Sequence, residues 1–84
     1  MERIFHHIEA DNPSASRRVV RTIYERVNSL KAHPYQGRTG RVGGTRELPL
    51  TPLPFLVVYR VLEQANAVEI VNVIHGAQRW PPMG

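Results

Sequence analysis

Glu47, Arg60 and His75 are the side chains of this sequence whose types suit proton transfer or anion binding from neighbouring strands. His75 ends an apolar run just before Gly76. An imidazole there can donate to a phosphate or a carboxylate, with its charge set near neutral pH, or it can simply cap the turn. Arg46 and Glu47 are adjacent and either organise a site or form a structural pair, while Arg60 and Glu69 are placed for a surface ion pair across a hairpin. The segment Arg79-Trp80-Pro81-Pro82 is too polar and proline-broken for a core, so Trp80 either covers a sheet end or stands exposed as a partner anchor. Arg46, Glu47, Arg60, His75, Arg79 and Trp80 are thus the candidate partner-binding side chains. His6 and His7 are adjacent with no further histidine at ligand spacing, so no metal site is expected. No cofactor is expected either. Gly37, Gly40, Gly43 and Gly44 lack the strand-to-helix context of a phosphate loop.

The elements that must position these residues follow from periodicity. Residues 1–10 place Ile4, Phe5 and Ile8 at helical spacing. Asp11-Asn12-Pro13 then stops and restarts the chain, with Asn12 suited to a helix cap and Pro13 to the first helical position. Ala15, Val19, Ile23, Val27 and Leu30 predict an amphipathic helix over 13–32, ended by His33-Pro34. Tyr35–Gly44 reads as a flexible loop. Three strands follow over 45–50, 55–63 and 67–75, joined by connectors of hairpin length. Regular hairpins would put Leu48, Leu50, Phe55, Val57, Tyr59, Val61, Val68, Ile70, Asn72 and Ile74 on a face packed against the helices. Glu47, Pro49, Leu56, Val58, Arg60, Glu69, Val71, Val73 and His75 would share an open face.

At 84 residues there is room for one domain spanning 1–84 and one modest core. The absence of cysteine excludes a disulfide framework and points to a reducing compartment. No apolar run approaches a membrane span, and residues 1–10 have no signal-peptide core. A net charge of +4, carried by arginine with Lys31 as the only lysine, suggests an anionic partner: nucleic acid, ribosome or an acidic protein.

Taken in order, Ile4-Phe5-His6-His7-Ile8 with Asp11-Asn12-Pro13, Gly44-Thr45-Arg46-Glu47-Leu48, Val57-Val58-Tyr59-Arg60-Val61 and Val73-Ile74-His75-Gly76-Ala77-Gln78-Arg79 resemble the RelE/ParE superfamily, the toxin half of type II toxin–antitoxin modules. The resemblance implies an α+β fold, with two N-terminal helices in a hairpin packed on a small, mainly antiparallel three-stranded sheet. It also implies a cytoplasmic protein neutralised by a cognate antitoxin. Family members usually begin with a strand, whereas this chain reads as starting inside the first helix. That departure implies a start codon placed too far downstream, a cut chain or a natural short form. The missing strand would leave a sheet edge open to a second copy or to an antitoxin strand.

RelE-like ribonucleases resemble this chain in the same strands and carry basic residues where Glu47, Pro49, Leu56 and Gln78 stand here. Cleavage of RNA needs cations for the developing phosphate charge and a base for the 2′-hydroxyl. A ribosome-dependent mRNA endoribonuclease would have to use Glu47 as base and His75 as acid, with Arg60 and Arg79. Leu56 at the phosphate clamp argues against that chemistry. The resemblance therefore leans to the ParE branch, whose members poison DNA gyrase by binding it. A third expectation is an inactive remnant that only binds antitoxin.

Overall fold

The computed structural model describes Arg3–His6 at the level of the strand they form, and residues 17–75 with their side chains. Among the described residues helix α1 runs Arg17–Asn28 and ends before residue 32 of the helix predicted over 13–32, whose start with its cap and Ala15 lies outside the described residues. Its apolar stripe is the predicted one: Val19 and Ile23 are half-buried, and Val27 and Leu30 are buried. The last of these sits in a 3-10 turn, Ser29–Lys31, that continues the helix. The backbone N–H groups of Ala32 and His33 both donate to Ser29 O, at 3.2 and 3.0 Å. This tighter turn closes the helix end before Pro34, which disfavours helical geometry in the residue preceding it.

Five strands form one sheet in the order β1-β5-β4-β3-β2, where β1 is Arg3–His6, β2 Arg38–Thr39, β3 Arg46–Pro49, β4 Phe55–Leu62 and β5 Ala67–His75. β2 through β5 are antiparallel, and β1 runs parallel to β5 with Ile4 opposite Val68. The fold is α+β as expected, but two parts of the expectation are corrected. The segment read as a first helix over 1–10 contains a strand at Arg3–His6, and β1 occupies the β5 edge expected to be open. A short apolar run fits either period, and pairing with an otherwise unsatisfied strand edge decides the matter. Among the described residues the sheet accordingly has five strands rather than three.

β2 lies inside the segment expected to be a flexible loop. Arg38 and Thr39 pair with Glu47 and Arg46, making a hairpin of residues 38–47. Its turn is closed by Gly40 N–H donating to Thr45 O at 2.8 Å and Thr45 N–H donating to Val42 O at 3.1 Å. Gly44 has φ +79°, the left-handed conformation that glycine adopts without penalty.

One face of the sheet packs on α1. Leu48, Leu50, Val57, Tyr59, Val68 and Ile70 form the core with Val27 and Leu30, and Ile23, Leu53, Phe55, Val61 and Val73 surround it. Arg26 ties the helix to the β3–β4 turn by donating from Nη2 to Thr51 O at 3.1 Å. The predicted inner face holds for β3, β4 and the first half of β5. It fails after Ile70, where Tyr59 pairs with Ile70 but Val58 pairs with Asn72, leaving Val71 as an extra residue. This bulge reverses the remaining alternation, so Val73 rather than Asn72 or Ile74 faces the helix.

Candidate functional site

Glu47 sits in the middle of β3, between β2 and β4. Its side chain is 1% exposed. Oε2 accepts the Arg41 backbone N–H at 2.9 Å, and Oε1 accepts from Arg38 Nη2 at 3.3 Å. Burial alone would raise this carboxyl, but the Arg41 N–H, then the Arg38 hydrogen bond and the charges of both arginines, outweigh it and hold the group below its ordinary range. The carboxylate is therefore a staple for the β2–β3 hairpin. With both oxygens engaged and the group sealed from solvent, it is poorly placed to take a proton from an incoming hydroxyl.

On the opposite face of the same hairpin, Arg46 organises the chain that leads into it. Its Nη1 donates to Gly37 O at 2.8 Å and to Tyr35 O at 3.4 Å, and its guanidinium lies 4.9 Å from the centre of the Tyr35 ring. Tyr35 in turn donates to Glu63 Oε1, and that hydrogen bond pushes its phenol up. Beneath this layer Tyr59 is fully buried, accepts the Gly37 N–H at 2.9 Å and donates to Pro34 O at 2.7 Å. Arg46 and Glu47, adjacent in sequence, thus point to opposite faces and hold the same hairpin from both sides.

The tightness of this hairpin yields a paired expectation. A Cβ at Gly40 would stand 2.1 Å from Thr45 Oγ1 and 2.8 Å from Thr45 O, whereas at Gly43 nothing lies within 4 Å. Gly40→Ala should cost about 1–3 kcal/mol through overpacking. Gly43→Ala should be neutral or stabilising by up to about 1 kcal/mol. Thermal melts of the two variants check the contrast.

The bulge at Val71 has a direct consequence for the predicted site. Phe55 pairs with His75 and Val57 with Val73, so His75 lies on the helix-bearing face. Its ring stands edge-on to Phe55, with centroids 5.5 Å apart and planes at 84°. Glu47 and Arg60 lie on the other face, and the expectation that His75 joins them there is corrected. Arg60 pairs directly with Glu69, Nη1 to Oε1 at 3.5 Å, across a half-exposed surface. The face expected to be open is closed at its centre as well, since Val58, Ala67 and Ile74 are buried there. Arg79 and Trp80, with Gln78, lie outside the described residues.

Sequence reasoning missed Arg38 and Arg41, which meet Glu47 from the hairpin, and the Gly37–Tyr59 contact beneath it. The available signal was charge complementarity: Arg38-Thr39 and Arg46-Glu47 flank a turn rich in glycine, so antiparallel pairing sets Arg38 against Glu47. Among the described residues no cluster of His, Cys, Asp and Glu could hold a metal ion, and no helix is long and apolar enough to cross a membrane. The described part of the predicted acid–base set is divided between two faces of a sheet, with its carboxylate buried.

The family described as the ParE toxin of the type II toxin–antitoxin system, parDE, matches residues 1–80. A protein of Sinorhizobium fredii (strain NBRC 101917 / NGR234) named "Putative toxin Y4kP" is 41% identical over 81 residues, covering 96% of this chain and 81% of that protein. The α+β fold and the match along nearly the whole sequence lead to one conclusion: this chain belongs to the ParE toxin family of type II toxin–antitoxin systems.

Proposed function

We propose that this toxin inhibits DNA gyrase by binding it, without bond-breaking chemistry of its own, and that a cognate antitoxin neutralises it. The observation that carries the reading is the division of the polar side chains. Glu47 is buried under the Arg38 and Arg41 contacts, and His75 is packed against Phe55 across the sheet. RNA cleavage needs a base and an acid on either side of one phosphate, with cations around it. A binding inhibitor needs only a rigid surface. The hairpin clamped by Glu47, Arg46 and Tyr59 offers that rigidity, and Arg60 offers an exposed cation on one face.

Purified toxin added to gyrase and relaxed plasmid should suppress supercoiling at micromolar concentration, and stoichiometric antitoxin should restore it. Undiminished supercoiling at that concentration would overturn the gyrase reading.

A further inference from the structure

The outer face of α1 presents a cluster of exposed arginines. Arg17 and Arg21 stand one turn apart with Tyr24 on the same line, and Arg18 lies beside them; all four are exposed. The guanidinium groups of Arg17, Arg18 and Arg21 take part in none of the hydrogen bonds or ion pairs of the described residues, whereas Arg26 on the same helix bonds Thr51 O. Like charges at this spacing repel. Glu25 follows Arg21 by four residues without forming an ion pair. The arrangement is unfavourable within the chain and becomes favourable against a polyanion.

The geometry points to a nucleic-acid backbone site on α1, in which Arg17, Arg18 and Arg21 grip successive phosphates of duplex DNA. Arginine forks match phosphate oxygens two at a time, and the site holds three arginines and no lysine. A single strand is the poorer fit, because its binding draws on several stacking aromatics and this face offers Tyr24 alone. An acidic amphipathic peptide is also the poorer fit. It would need a run of apolar anchors, and the exposed apolar stripe consists of Val20 and Tyr24 before the next position in line, Val27, turns into the core. Contacts of this kind read the backbone and not the bases, so binding is independent of sequence. This inference goes beyond gyrase inhibition and is measured without gyrase, so either can fail alone.

The test is fluorescence anisotropy of a labelled 20-base-pair duplex titrated with the full chain over a range of salt. Binding should be micromolar in about 50 mM NaCl, and three neutralised phosphates should give a slope of log affinity against log salt of about −2.7 or steeper. Arg17→Glu and Arg21→Glu should each weaken binding about tenfold and flatten the slope by about one. Lys31→Glu changes the net charge equally but lies beyond the end of α1, and should weaken binding less than about threefold. Arg17→Gln and Arg21→Gln keep the test readable should charge reversal disturb the helix. Equal losses for Lys31→Glu and Arg17→Glu would overturn the site, leaving net charge as the cause. So would absence of duplex binding at about 100 μM, or tighter binding of a polyglutamate peptide or of single-stranded RNA.

Discussion

Tyr59→Ala is expected to leave the domain substantially unfolded at room temperature, while Tyr59→Phe folds with reduced stability. Tyr59 is the largest of the fully buried side chains among the described residues, and truncating such an aromatic to alanine costs about 3–5 kcal/mol in lost burial and cavity formation. The hydroxyl adds to this, because it joins the buried Gly37 N–H to Pro34 O. Losing it alone, as in the phenylalanine variant, should cost about 1–3 kcal/mol by leaving both groups unmet. A chain of 84 residues has roughly 4–13 kcal/mol of total stability, and a combined loss of about 4–8 kcal/mol removes all of it toward the lower end of that range. Urea denaturation followed by circular dichroism separates the two cases. Burial raises the Tyr59 phenol against the lesser pull of the Gly37 N–H and Arg46, so its contribution is complete below the ordinary value of 10.0 and declines as pH rises through the folded value.

Glu47→Ala should be the next most damaging change, at roughly 2–4 kcal/mol, combining an unmet Arg41 N–H with loss of the buried stem. Glu47→Gln keeps the shape and can still accept the Arg41 hydrogen bond, so it should cost less. The two proteins should also differ in acid. The folded carboxyl lies below its ordinary value of 4.5, so the stability it provides is present above that value and is lost as pH falls through the folded one. Melting temperatures at about pH 6 and about pH 3 should therefore drop further for the wild type than for Glu47→Gln. Identical acid sensitivity would remove Glu47 from the account of the hairpin.

Much of this fold was legible because burial imposes a period. The stripe Val19, Ile23, Val27 and Leu30 marks a helix, and the three predicted strands match β3, β4 and β5 to within a residue at each end. What failed was information that local pattern does not carry. Arg3–His6 is a strand because β5 has an edge to satisfy, a fact about a segment more than sixty residues away in sequence. The bulge at Val71 left no mark because Ile70, Val71, Val73 and Ile74 are apolar on both sides of Asn72, and a strand with two apolar faces fits either register. That single extra residue moved His75 to the other face. The glycines of Tyr35–Gly44 suggest a flexible loop, although Gly40 is there to let Thr45 approach and Gly44 to turn the chain.

The candidate site was legible in composition and not in arrangement. Glu47, Arg60 and His75 were singled out by type, but whether they converge depends on register, and here they do not. Glu47 holds the hairpin in place and Arg60 meets Glu69, while His75 rests against Phe55.

The most direct test of a toxin that acts by binding is transcriptome-wide mapping of RNA 5′ ends after the chain is induced without antitoxin. The account predicts arrested growth with RNA ends unchanged from uninduced cells. New ends phased to codons on translated messages would contradict it and restore Glu47 and His75 to a catalytic role.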